Sequence, residues 1–221
     1  MSDAPLKSFP AFMRESIVVL HVDDACIVVE KPSGLLSVPG RGEHLQDCLA
    51  TRVQAMFADA LVVHRLDMAT SGLMLFARGV AAQRALSRAF EQREVHKRYV
   101  AVVHGRVEPD QGEIDLPLLA DWPNRPLQKV DHAHGKPSLT RWRVTEATAD
   151  RTRLELEPVT GRAHQLRVHL RAIGHPILGD ALYAPPEVLA GADRLLLHAA
   201  RLRFAHPSSG ATLQIESAVP F

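Results

Sequence analysis

The stretch HRLDMATSG, residues 64–72, places charged and hydroxyl side chains together between two apolar runs. Arg65 and Asp67 lie two residues apart, and the hydroxyls of Thr70 and Ser71 follow. One interpretation is a charged loop tip between two strands, in which the arginine and the aspartate form a surface ion pair. The other is a carboxylate held for chemistry, since a nearby arginine can keep an aspartate ionised and oriented. Such an aspartate could attack or stabilise the C1′ atom of a sugar.

The residue patterns of other common sites do not occur in this chain. There is no GxxxxGK[ST] or GxGxxG phosphate loop and no G-x-S-x-G turn for a serine nucleophile. Ordinary glycoside hydrolysis uses two carboxylates, whereas Asp59 and Glu91, the acids nearest to Asp67, lie well outside the motif. The twelve histidines show no HExxH spacing and no pairing with cysteine, so we expect no metal site.

The composition is that of an ordinary globular protein. The chain has 221 residues, of which 46% are hydrophobic and 23% charged. No apolar run approaches the roughly 20 residues of a membrane span, and the first residues do not follow the pattern of a signal peptide. Cys26 and Cys48 both lie in apolar surroundings, which favours buried free thiols in a reducing compartment. We therefore expect a cytoplasmic protein, a monomer by default, with residues 1–15 as a loose N-terminal extension.

The net charge of +1 does not by itself indicate a nucleic-acid binder, but the charge is unevenly distributed. Segment 160–177 holds three arginines and three histidines with no acid. Segment 122–143 holds five basic residues against one aspartate. Such runs are most often solvated faces, yet two of them in one half of the chain favour an anionic ligand.

Hydrophobic periodicity predicts a single α+β domain with a largely antiparallel sheet. Helices are predicted in 45–57, 80–93 and 163–174, the last with Thr160 as N-cap and Gly174 as C-terminal stop. Strands are predicted in the following segments: 16–40, 72–78, 96–107, 138–147, 152–159 and 193–220. Residues 108–138 contain five prolines and little periodicity, which predicts an irregular segment that is functional or mobile.

The longer stretch HRLDMATSGLMLFAR resembles the catalytic motif of the RluA family of RNA pseudouridine synthases, whose hallmark is HRLD followed by TSG. Further blocks are similar to the family in the same order along the chain. They are VVEKPSGLLSVPGR (28–41), KRYVAVVHG (97–105), GKPSLTRWRV (135–144), TGRAHQLRVHLRAIGHPILGDALY (160–183) and LLLHAARLRFAHP (195–207). The resemblance extends from about residue 17 to the C terminus.

This resemblance implies a pseudouridine synthase catalytic domain over residues 1–221, with a largely antiparallel mixed sheet flanked by helices and no S4-like RNA-binding domain. It implies an isomerase that converts uridine to pseudouridine in structured RNA. No metal or organic cofactor is expected, because no electron or group leaves. The short chain and the segment DLPLLADWPNRPLQKV point to the branch of the family that acts on both a tRNA anticodon stem-loop and a 23S rRNA hairpin.

The resemblance also implies roles for individual residues. The family's catalytic aspartate falls on Asp67, its active-site tyrosine on Tyr99, and the arginine that pairs with the aspartate on Arg167. By spacing alone, Tyr99 would be a core residue and Arg167 a solvated helix residue. RNA contacts are expected from the following basic and polar residues: Arg65, Arg125, Lys129, Arg162, His164 and Gln165. For the last three, a role in the scaffold stays open.

Two other classes of function are compatible with parts of the pattern. A non-catalytic RNA-binding module would use the same basic segments, but it has no use for Asp67 among them. A nucleosidase that acts on small molecules with one carboxylate would release a free base. We expect the synthase.

Overall fold

The computed structural model describes residues 17–42 and 45–221, which fold around one large mixed sheet. The extension expected at residues 1–15 lies outside the described residues. The strands are β1 (Val18–Val22), β2 (Cys26–Lys31), β3 (Ala60–Val62), β4 (Ser71–Arg78), β5 (His96–His104), β6 (Gln111–Asp115), β7 (Leu118–Ala120), β8 (Gln128–Val130), β9 (Leu139–Ala147), β10 (Arg151–Pro158), β11 (Leu197–Ala205) and β12 (Thr212–Glu216). The helices are α1 (Leu49–Met56), α2 (Gly79–Glu91), α3 (Gln165–Ala172) and α4 (Pro186–Leu189), with a 3-10 helix at Trp122–Asn124.

The sheet has the strand order β1-β2-β4-β11-β5-β10-β9-β6, with β12 paired to β11 and β3 to β4. Strands β4 and β11 run parallel, and the other pairs in this sheet are antiparallel. Strands β7 and β8 form a separate hairpin. The predicted α+β fold with a largely antiparallel mixed sheet is therefore confirmed.

Strand β4, which follows the HRLD motif, lies at the centre of the core. Its sequence SGLMLFAR is buried from Ser71 to Ala77, because helices cover both of its faces. Helix α2 packs Leu86 on one face, and α1 packs Leu49 on the other. An apolar run without alternation is typical of a strand that is buried on both sides. The motif loop is thus attached to a strand that is buried on both faces.

Gly72 allows the motif to enter the sheet directly beside β11. Its φ of +111° is favourable for glycine alone, and a Cβ atom there would overlap the backbone of Ala199. The parallel contact between β4 and β11 is made at this point, where Ser71 pairs with His198 and Gly72 with Ala199. The chain therefore needs glycine at position 72 for the two strands to meet.

The start of helix α3 differs from the prediction. Thr160 is not its N-cap: the helix begins at Gln165, and His164 is the N-cap residue, with a left-handed φ of +53°. The hydroxyl of Thr160 instead donates to Oε1 of Gln165 at 2.7 Å, which closes a tight turn before the helix. The predicted stop is confirmed, since Gly174 has a φ of +86° just beyond the helix end.

The prediction that residues 108–138 are irregular is wrong in part. This segment contains β6, the β7–β8 hairpin and the 3-10 helix. Each of the three strands has only three to five residues, too few for alternation to show between the prolines. Strand β6 is defined by its pairing with β9, a tertiary contact.

Two predictions from composition can be compared with the structure. Cys26 and Cys48 are buried free thiols, as predicted. Within residues 17–42 and 45–221, no helix combines the length and apolar character that a bilayer crossing needs.

Candidate active site

A cavity of about 530 Å³ lies between the loop before β4, strand β5 and the start of α3. It brings together residues that are distant in sequence, including Asp67 and Arg167, one hundred positions apart. The residues that the sequence predicted for a site and that line this cavity are Arg65, Asp67, Tyr99, Arg162, His164, Gln165 and Arg167.

Asp67 is paired with Arg167 and not with Arg65. Nη1 of Arg167 donates to Oδ2 of Asp67 at 3.3 Å. The arginine side chain is 4% exposed and that of the aspartate 24%, so the carboxylate reaches the cavity while its cation is buried. Within the described part of the chain, exposed Arg65 has no ion-pair partner. The interpretation of HRLD as a loop tip closed by an Arg65–Asp67 pair is therefore wrong.

Asp180 holds Arg167 from the opposite side. Its two carboxylate oxygens accept from Nε and Nη2 of Arg167 at 2.8 and 2.6 Å, a bidentate and fully buried pair. Oδ1 also accepts from the backbone N–H groups of Leu182 and Tyr183. Burial alone would lower the pKa of Arg167, but the hydrogen bonds and charge of Asp180, and then the charge of Asp67, raise it. Arg167 therefore remains a fixed cation beside Asp67.

A second chain of contacts reaches Asp67 from the β7–β8 hairpin. The backbone N–H of Gln128 donates to the Tyr183 hydroxyl at 2.9 Å, and that hydroxyl is 2.6 Å from Nδ1 of His164. On its other side, Nε2 of His164 lies 3.9 Å from Oδ1 of Asp67. Burial lowers the pKa of His164 despite the nearby Asp67 charge. The lowered pKa favours the neutral form of the His164 ring beside the carboxylate.

Tyr99 lies in the middle of β5, between β10 and β11. Its side chain lines the cavity, and its hydroxyl has no hydrogen-bond partner among the residues that the structure describes. Burial, and then the charge of Asp67, raises the pKa of the Tyr99 phenol above its usual value. The hydroxyl is therefore protonated and free to meet a ligand.

Lys31 binds the motif loop through its side-chain ammonium, a role that the sequence did not predict. Its ammonium is fully buried and donates to the carbonyl oxygens of Pro32, Leu35 and Met68 at 2.8, 2.6 and 2.9 Å. Burial lowers the pKa of Lys31 to about 7, although the charge of Asp67 opposes the shift. The available signal was its position in VVEKPSGLLSVPGR, one of the blocks that resemble the RluA family.

His64, the first residue of HRLD, anchors the motif to β4. Its Nε2 accepts from the backbone N–H of Leu75 at 2.9 Å, and its ring stacks on Phe90 with a centroid separation of 4.6 Å. Burial, and then the charge of Lys97, lowers the pKa of His64 to about 3. The ring is therefore neutral, and its position follows that of β4.

Gln165 lines the cavity, but its amide group is bound within the protein. Oε1 accepts from the Thr160 hydroxyl and from the backbone N–H of Arg162 at 2.7 and 3.0 Å. Nε2 donates to the carbonyl of Leu139 and to the hydroxyl of Thr140 at 2.9 and 3.0 Å. Of the two roles left open for Gln165, these contacts favour the scaffold.

Arg125 and Lys129 lie outside the cavity, on the segment that includes the β7–β8 hairpin. The guanidinium of Arg125 is stacked 4.0 Å above the ring of Trp122, which is 67% exposed. Nζ of Lys129 lies 3.8 Å from the carboxylate of Asp131. Both residues are exposed, so the structure leaves them accessible to a large ligand.

One group of potential metal ligands, His21, Asp23 and Cys26, occurs at the turn between β1 and β2. The Asp23 carboxylate already accepts from the backbone N–H groups of Ala25 and Cys26 and lies within hydrogen-bond distance of His21 and His206. Burial, and then the charge of Asp23, raises the pKa of the Cys26 thiol to about 12, which disfavours the thiolate that a metal requires. This group is a hydrogen-bonded turn of the fold.

Comparison with known proteins adds the family. Residues 25–172 match the model of a family described as RNA pseudouridylate synthase. The chain is 53% identical over 206 residues to Dual-specificity RNA pseudouridine synthase RluA of Escherichia coli (strain K12), covering 93% of this chain and 94% of that one. It is 51% identical to the protein of the same name from Yersinia pestis, over 93% of this chain and all of that one.

The fold is similar to that of a solved human structure, Human RNA Pseudouridylate Synthase Domain Containing 1. The two share 28% sequence identity with a TM-score of 0.79, over 96% of this chain and 87% of the human one. The range matched by the family model, residues 25–172, includes Asp67, Tyr99 and Arg167. The chain therefore belongs to the RluA family of RNA pseudouridine synthases.

Proposed function

We propose that this chain converts chosen uridines of folded RNA to pseudouridine, with Asp67 as the catalytic carboxylate. The observation that carries the proposal is the partly exposed Asp67, bound on its buried side by Arg167, at the wall of a cavity large enough for a nucleotide. The C1′–N1 bond breaks, the base turns in the cavity, and C1′ bonds to C5. C5 loses a proton and N1 gains one, so the reaction balances without a cofactor.

Asp67 acts on the ribose in one of two ways. It attacks C1′ as a nucleophile, or it removes the 2′ proton to give a glycal. Both routes need an ionised carboxylate in a fixed orientation. Arg167 supplies a permanent positive charge at 3.3 Å from Oδ2, and the His164 ring lies on the side of the other carboxylate oxygen, with Nε2 3.9 Å from Oδ1.

Tyr99 stacks on the uracil and relays the proton that leaves C5. Its ring lines the same cavity as Asp67, which supports contact with the base. The raised pKa keeps the phenol protonated, so Tyr99 has no free site for a proton in its resting state. It can accept the C5 proton only if it donates its own phenolic proton at the same time. A relay is therefore favoured over a standing general base.

The RNA must present its uridine outside the base stack, which costs a few kcal/mol and least in a loop. Arg65 and Arg162 line the cavity and would hold the displaced nucleotide. Arg125 and Lys129 would contact the stem or loop from the hairpin side, where exposed Trp122 adds a stacking surface. We propose that the protein acts on this RNA as a monomer in the cytoplasm.

For the substrate we propose two RNAs, a tRNA anticodon stem-loop and a 23S rRNA hairpin. The support is the high identity to relatives named as dual-specificity enzymes, together with the family resemblance of the HRLD block. Pseudouridine mapping in RNA from a strain that lacks the gene tests this proposal. Both positions should be unmodified and should be restored by the wild-type gene; a strain with both positions still modified would overturn it.

The two other classes of function give different products. With an RNA that carries tritium at C5 of uridine, the synthase releases tritium to water while the base stays attached. A non-catalytic binding module releases no tritium, and a nucleosidase releases free uracil. Family membership supports the synthase over both.

A further inference from the structure

Lys97 is a largely buried cation to which the proposed mechanism assigns no role. It lies on β5 two residues before Tyr99 and lines both the main cavity and a smaller one of about 150 Å³ beside it. Lys31, by comparison, gives its ammonium protons to three carbonyl oxygens. The ammonium of Lys97 has no hydrogen bond or ion pair among the described residues. Burial, and then the charge of Arg93, lowers the pKa of Lys97, which shows that this charge is poorly solvated and lies close to a second cation.

Arg93 is that second cation, and its backbone is strained. It also lines both cavities, just after the end of α2, with a φ of +63°. This is the position after a helix where glycine is strongly favoured, because a side chain is unfavourable in the left-handed conformation. Its exposed guanidinium has no ion-pair partner within the described residues. The left-handed residue closes the end of α2, where the backbone N–H of Glu94 donates to the carbonyl of Ala89 at 2.9 Å.

The acidic side chains nearby leave these two cations unneutralised. Glu157 lines the smaller cavity but is bound to Arg98 at 3.2 Å. Arg141, also at that cavity, is bound to Glu113 at 2.7 Å. Glu91 lies at the main cavity, and no ion pair in the described structure joins it to Arg93 or Lys97. The junction of the two cavities is therefore a place where two cations lie together without a bound carboxylate.

We propose that this junction is a phosphate subsite, in which Lys97 and Arg93 bind a phosphodiester group next to the uridine that is modified. The proposal rests on the proposed function, since RNA supplies the anion. A nucleotide whose ribose faces Asp67 and whose base faces Tyr99 must lead its backbone out of the main cavity. Lys97 and Arg93 line the main cavity and the smaller one alike, so the backbone passes them on the way out.

Salt dependence of single-turnover kinetics tests the subsite. Tritium release from a C5-labelled stem-loop RNA gives the half-saturating enzyme concentration and the rate at saturation. Lys97→Met should raise the half-saturating concentration and reduce the slope of its logarithm against log salt by about 0.7–0.9, the value for one phosphate contact. Lys97→Arg should keep the wild-type slope because it keeps the charge.

Arg93→Gly should raise the stability of the protein and lower its affinity for RNA. Glycine relieves the left-handed backbone at position 93, so the variant should unfold at a higher temperature than the wild type. It should nevertheless require more enzyme for half-saturation, with a smaller salt slope. A purely structural role for Arg93 would not separate stability from binding in this way. Unchanged RNA affinity in Arg93→Gly would overturn its place in the subsite.

The matched control is Arg106→Met, which removes an exposed arginine bound to Glu108 at 2.9 Å and away from both cavities. It should leave the salt slope at the wild-type value. An equal change in this control would show an effect of net charge and would overturn the subsite. A Lys97→Met variant with a wild-type slope and a slower saturated rate would also overturn it. If the wild type releases no tritium from any RNA, the proposed function itself fails, which is a different result.

Discussion

Asp180 binds Arg167 through both carboxylate oxygens and so leaves Nη1 of the guanidinium to face Asp67. The pair is almost fully buried, with side-chain exposures of 4% for the arginine and 1% for the aspartate. A guanidinium held at two of its nitrogens cannot rotate away from the third contact. The orientation of the proposed catalytic carboxylate therefore depends on a residue that is not itself in the cavity wall.

Replacing Asp180 by asparagine should damage both stability and catalysis. Removal of the Asp180 charge leaves buried Arg167 with only the longer contact to Asp67 and should cost about 3–5 kcal/mol of unfolding free energy. The rate at saturating RNA should fall, because Arg167 no longer has a fixed orientation. Denaturant unfolding and single-turnover tritium release measure the two effects. Asp193→Asn, at an exposed aspartate, is the control. A fully active Asp180→Asn protein would contradict this dependence.

Tyr99→Phe should separate stacking from proton relay. The ring remains, so RNA affinity should be unchanged. The rate at saturation should fall by about a hundredfold or more, the usual contribution of a positioned acid–base group. RNA binding and tritium release on the same preparation measure both quantities. Normal turnover would mean that Tyr99 only packs against the base.

Gly72→Ala should disrupt the contact between β4 and β11. A Cβ atom at this position overlaps backbone atoms of Ala199, which cannot move without separating two central strands. The expected loss of unfolding free energy is more than about 3 kcal/mol. Gly210→Ala is the matched control, since its φ of +72° is also left-handed but nothing lies near its Cβ position. The control should lose only about 1–2 kcal/mol, the cost of the backbone conformation. Equal losses in the two variants would mean that backbone conformation alone explains the effect.

The sequence predicted much of the fold and seven of the residues that line the cavity, and the reasons differ between elements. Helix α2 was predictable because its apolar positions recur at helical spacing over thirteen residues. Strands β6, β7 and β8 were not, because each is short and β6 depends on its tertiary partner. The family motif located Asp67, Tyr99 and Arg167, whereas spacing alone would have left Arg167 on a solvated face.

The contacts behind the cavity wall could not be predicted in the same way. Asp180 accepts hydrogen bonds from Arg167 and from the backbone N–H of Tyr183, and its link to Arg167 joins two segments with no pattern in common. From the sequence, Lys31 is an ordinary lysine at the end of a strand. Only the structure shows that its ammonium donates to three carbonyl oxygens. Such side-chain geometry is set by tertiary packing, and hydrophobic periodicity carries no information about it.

Two buried histidines should make the protein sensitive to mild acid. Burial, and then nearby positive charge, lowers the pKa of His64 to about 3 and that of His198 to about 4. In the unfolded chain, the pKa of both histidines is about 6.5. Between these values the unfolded state binds more protons than the folded state, so stability is full above about pH 6.5 and falls as the pH is lowered towards 4.

Denaturant unfolding at pH 7 and pH 5 measures this effect. The loss should approach about 1.4 kcal/mol for each histidine and each pH unit below 6.5. His198→Gln, which cannot titrate, should remove the part of the loss that comes from this ring. His134→Gln, at an exposed ring, should leave it unchanged. Equal unfolding midpoints for the wild type at the two pH values would contradict the neutral state of both rings.

The central claim is that the carboxylate of Asp67 acts on the ribose of a bound uridine. Asp67→Asn keeps the size of the side chain and its place beside Arg167 but can neither attack C1′ nor accept a proton. Single-turnover tritium release from a C5-labelled stem-loop RNA is the direct measurement, with RNA binding followed on the same preparation. We predict that the variant binds the RNA and releases no tritium above background. Release at a rate near that of the wild type would contradict the account.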